Sequence, residues 1–77
     1  MSEPQIPIPT GPMEEEPRIG HQGQDASEAI LTGALAAAGV ELGAYDRAIL
    51  DWLSMWETST AVTIASWIRR AARDGTT

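Results

Sequence analysis

The sequence predicts a small all-α protein, a two- to three-helix bundle preceded by a disordered, proline-rich, acidic N-terminal arm. Three observations lead there. All five prolines (Pro4, Pro7, Pro9, Pro12 and Pro17) fall in the first seventeen of 77 residues. Beyond them, apolar residues recur at three- and four-residue spacing in three successive stretches, as they do in helices with one buried face. Nothing alternates apolar with polar residues as a half-buried strand would.

The arm comes first. Residues 1–24 hold all the prolines, three glycines, the acidic run Glu14-Glu15-Glu16 and no aromatic residue. Such a segment buries too little apolar surface to offset its ordering entropy, so disorder is expected over 1–24 and a helical module over 25–77. Ile6-Pro7-Ile8-Pro9 favours an extended, polyproline-like shape. Its plain role is a solubilising tail; its sharper one is a linear motif anchored by Ile6 and Ile8.

The first helix is expected at about 25–38. Asp25 and Glu28 have the spacing of an acidic capping box. Ile30, Leu31, Ala34, Leu35 and Ala38 share a face. Gly39 stands where a left-handed residue closes a helix, with Val40 as the apolar contact that follows.

The second helix is expected at about 44–57. Tyr45, Ile49, Trp52, Leu53 and Trp56 fall within an arc of about 100°, the width of a buried stripe. Asp46, Arg47, Asp51, Ser54 and Glu57 occupy the other side, and Leu50 points out among them.

The third helix is expected at about 60–74, capped by a hydroxyl of Thr58, Ser59 or Thr60. Ala61, Ile64, Ala65, Trp67, Ile68, Ala71 and Ala72 make its apolar half, and Val62 lies outside it. Arg69, Arg70 and Arg73 suit the negative end of the helix dipole, and Gly75 is the stop. Helical phase predicts that Trp52, Trp56 and Ile64 pack together while the three arginines face water. Connections this short make neighbouring helices roughly antiparallel.

Composition narrows the function classes. The net charge is −6, with four acids against Arg18 in 1–24 and seven against four arginines in 25–77. A negative surface repels nucleic acid and anionic membranes, so neither is an expected partner. Without cysteine there is no disulfide and no thiolate metal site. His21, the one histidine, has no companion at ligand spacing and lies in the arm, so no serine gains a base and no metal is expected. The carboxylates are not arranged for acid–base work, and the glycines are too scattered for a phosphate loop. The expectation is a non-enzymatic protein with no cofactor. With no basic leader and no long apolar run, a cytoplasmic location is expected.

One pattern carries a resemblance. Asp46-Arg47-Ala48-Ile49-Leu50-Asp51-Trp52-Leu53, then a Thr/Ser cap and Ile64-Ala65-Ser66-Trp67-Ile68, resembles the first two helices of helix-turn-helix regulators over about 46–74. In that family a recognition helix follows, whereas here only Gly75, Thr76 and Thr77 come after Asp74. In a second alignment the last helix itself would read a groove, through Thr63, Ser66, Arg70 and Arg73. The stretch from Leu42 to Asp74 also resembles short uncharacterised proteins of actinobacteria and their phages, which imply no activity. The absence of lysine, asparagine and phenylalanine, against twelve alanines, fits such a GC-rich source.

About fifty residues make a small core, which favours a protein partner or self-association. The residues expected to touch a partner are the off-pattern Leu50 and Val62, Trp67 at the edge of its apolar arc, and Arg69, Arg70 and Arg73. The alternative is a small helix-turn-helix-like nucleic-acid-binding regulator that uses the third helix, and a weaker one is an acidic inhibitor or mimic that competes for a basic site.

Overall fold

The computed structural model describes residues 6–20 and 22–74, the last without its side chain. Residues 1–5, His21 and the Gly75 stop lie outside the described residues. Three helices follow one another: α1 (Gln24–Ala37), α2 (Ala44–Leu53) and α3 (Thr58–Asp74). No strand occurs among the described residues.

The helix ends follow local chemistry. α1 begins a turn-residue earlier than Asp25 would set it: Gly23, at φ 93°, is the N-cap, no side chain caps it, and Asp25 sits inside the first turn. Its C-terminus closes as the sequence predicts. Gly39 takes φ 78°, its amide donates to the Ala36 carbonyl at 3.0 Å, and the Val40 amide donates to that of Leu35 at 2.9 Å. Together these bonds form the Schellman pattern. At the start of α2, the Asp46 carboxylate accepts the Gly43 amide at 2.9 Å. α2 stops at Leu53, earlier than 57, and a turn through Ser54–Trp56 leads to α3. The Glu57 carbonyl accepts the Thr60 and Ala61 amides, so Glu57 holds the N-cap position expected of a hydroxyl.

α1 packs mainly on α3 and makes a smaller contact with α2. The α1–α3 contact is made of small side chains: Ala34, Ala61 and Ala65 are fully buried, and the Arg69 guanidinium lies over Gly33, 3.4 Å from where a β-carbon would stand. Leu31, Leu50 and Ala61 form the central cluster, with Leu35, Leu42, Leu53 and Ile64 around it.

Between residues 6 and 23 the described residues form neither helix nor strand, and they are bonded along α3 as a strap that runs in the opposite direction. The Ser66 hydroxyl donates to the Pro9 carbonyl at 2.7 Å and Arg73 to that of Thr10 at 3.1 Å. The Ser59 hydroxyl donates to the Glu16 carboxylate at 2.9 Å, and Thr58 Oγ1 accepts the Gln22 amide at 2.9 Å. Gln24 Nε2, at the start of α1, donates to the Asp51 carboxylate at 3.0 Å and ties the strap's end to α2.

Two expectations about packing are corrected here. Leu50, only 6% exposed, and Val62, fully buried, do not point outward from their helices but belong to the core. Leu50 enters the gap between α1 and α3. Val62 lies on the α3 flank that carries Ser59 and Ser66, where the strap is bonded. Conversely, Tyr45, Ile49, Trp52 and Trp56 are not buried. The buried positions of α1 and α3 are largely alanine and serine, and α2 turns its smaller Leu50 inward, with Ser54 buried just after it, and leaves the aromatic stripe outside.

Candidate interaction surface

α2 presents its stripe to solvent. Tyr45 is 78% exposed, Trp52 54% and Trp56 53%. The two indoles form an edge-to-face pair, centroids 5.7 Å apart at 77°. That geometry matches the ring quadrupoles and holds both side chains in place. Beside the stripe, an apolar cleft of about 290 Å³ opens between the helices. It is lined by Leu31 and Leu35 of α1, Val40 and Leu42 of the connection, Ile49, Leu50 and Leu53 of α2, and Ile64 and Ile68 of α3. Ile49 belongs to both cleft and stripe. Asp46 is the one ionisable residue on the cleft wall, and its carboxylate is engaged by the Gly43 amide.

Trp67 is 58% exposed on α3. It lines a second groove of about 510 Å³ between strap and helix, with Met13, Pro17 and Ile64 as apolar neighbours. Glu14, Glu15, Glu16 and Glu57 rim this groove.

The residues that would read a nucleic-acid groove are differently placed. Ser66 is fully buried, its hydroxyl given to Pro9. Thr63 Oγ1 donates to the Ser59 carbonyl at 2.8 Å. Arg73 is bonded to the Thr10 carbonyl, and Arg70 is half-buried with its Nε enclosed and without a hydrogen-bond partner. Arg69 is exposed and leans over α1. The three arginines therefore do not form one water-facing cluster.

Sequence reasoning missed the α2 stripe as a surface because it assigned the stripe to the core. The signal was present: one helix carries four large apolar residues on one line and a single leucine on another.

Among the described residues no three His, Cys, Asp or Glu side chains are grouped so that they could hold a metal ion, and no helix is long and apolar enough to cross a membrane. Comparison of the chain with protein-family models, with curated proteins and with solved structures finds no match.

Proposed function

We propose that this chain is a small non-enzymatic protein-binding module whose contact surface is the outer face of α2 together with the adjoining cleft. The carrying observation is that Tyr45, Ile49 and Trp52 of α2, with Met55 and Trp56 of the turn that follows it, stand in water while the core is built from leucine, alanine, valine and serine. Contiguous apolar surface of this kind is characteristic of interaction sites, and Trp and Tyr are the residue types enriched at their energetic centres. A helix-turn-helix reading has less support, because the α3 face it requires lies under the strap and the chain carries −6.

The test is site-specific photo-cross-linking in the native cell. A photoreactive residue at Ile49 should trap a defined protein adduct, while one at the exposed Ala29 of α1 should not. Absence of any protein adduct at Ile49 would count against the proposal.

A second reading draws on Trp67. An exposed indole in a groove rimmed by four glutamates suits a partner that offers lysine or arginine, the arrangement of an acidic inhibitor or mimic. Charge reversal at Glu14, Glu15 and Glu57 should abolish such binding and leave contacts at Ile49 intact.

A further inference from the structure

We infer that the face of α2 is covered by the same face of a second copy, the two α2 helices lying antiparallel across a twofold axis. This rests on reading that face as a protein-binding surface, and it names the occupant.

The first argument is the spacing of the stripe. Tyr45, Ile49 and Trp52 of α2 and Trp56 of the turn after it, held against Trp52, follow one another at intervals of four, three and four residues. That series reads the same in both directions. An antiparallel copy can therefore set Tyr45 against Trp56 of the other chain and Ile49 against its Trp52, with both pairs repeated by the axis. Such self-complementarity is what an isologous interface requires.

Charge gives the second argument. Two chains of −6 repel each other unless their acids stay apart at the contact. In this register they do. Asp46 falls opposite Met55, Asp51 is turned away from the stripe and accepts Gln24, and Glu57 lies beyond α2 at the N-cap of α3. No acid meets an acid. Ala44 and Ala48 flank the stripe and leave room for the other chain's larger side chains.

The area is sufficient. A Tyr or Trp brings roughly 150–250 Å² to an interface, so three rings more than half exposed supply about 400 Å². Ile49, Met55 and the cleft walls raise this to roughly 600–800 Å², near the 800 Å² per partner of a standard stable interface. That is above the largest apolar patch of most monomers.

Sedimentation equilibrium of the full chain between about 1 and 200 µM, the range in which weak dimers dissociate, tests this. The expected result is a mass rising to twice that of the chain. Trp52→Asp should weaken the dimer at least a hundredfold with its helical circular dichroism kept, and Trp67→Asp, off the stripe, should leave it unchanged. Because the chain has no cysteine, register can be read directly. A mixture of Ile49→Cys and Trp52→Cys chains should oxidise to the mixed disulfide faster than either chain oxidises alone. A wild-type monomer throughout this range overturns the inference, as does a dimer whose preferred disulfide joins Trp52→Cys to itself. If monomer is found but the photo-cross-linker at Ile49 traps a different protein, the binding surface stands and only its occupant is wrong.

Discussion

Two glycines of α1 invite the same substitution with opposite results. Gly39 holds φ 78° beyond the helix end, with open space where a β-carbon would go. Gly39→Ala meets no clash; it meets the backbone itself, and the left-handed conformation should cost about 1–2 kcal/mol. Gly33 lies inside the helix, and its β-carbon would touch only the far end of the Arg69 side chain at 3.4 Å. Gly33→Ala should therefore gain up to about 1 kcal/mol from helix propensity as the guanidinium shifts. Urea midpoints moving in opposite directions for the two variants would check both. The role of Gly39 was legible in the sequence because a Schellman closure depends on neighbouring residues alone. That of Gly33 was not, since Arg69 reaches it from thirty-six positions away.

At the level of elements, α2 separates what helical phase can establish from what it cannot. Periodicity correctly gives three helices and the apolar line of each, because it is local. It does not say which side of α2 meets the rest of the molecule. That side depends on residues distant in sequence: Leu50 packs with Leu31 of α1 and Ala61 of α3, while Trp52 is left in water. Truncations should reproduce this geometry. Leu50→Ala should cost roughly 2–5 kcal/mol, enough to unfold a core this small. Trp56→Ala, half in water, should cost under about 1 kcal/mol in dilute solution, as substitutions outside the core do. Equal losses of helical signal in the two variants would mean that the tryptophan is core after all. The strap was legible only in part. Composition rules out helix and strand for it, but its hold on α3 comes from hydroxyls, Ser59 and Ser66, that on a helical wheel look like a polar outer face. Ser66→Ala removes one such bond and leaves the Pro9 carbonyl without its partner, a loss of about 1 kcal/mol. Trypsin should then cut after Arg18 faster than in the wild type, with the helical signal unchanged.

For the whole molecule, the balance between a small core and a large exposed apolar face predicts how stability responds to concentration and salt. Unfolding absorbs about 0.7 kcal/mol per residue near 60 °C, so two chains of 77 residues absorb about 100 kcal/mol. A dimer that melts to two unfolded chains with that enthalpy gains about 5 °C in Tm for each tenfold rise in protein concentration. A monomer gains nothing. Salt supplies an independent sign. Each chain carries −6, and the proposed contact joins two apolar faces without joining opposite charges. Raising ionic strength from about 10 to 150 mM shortens the screening length from about 30 to 8 Å, which weakens repulsion between the copies and leaves the buried rings untouched. Dimer affinity and Tm should both rise. An acidic surface engaging a basic partner responds the other way, because screening removes its attraction. Scanning calorimetry at two protein concentrations and two salt concentrations therefore separates the cases: Tm rising along both axes requires association through the uncharged face of α2, and a Tm independent of protein concentration leaves the chain a monomer.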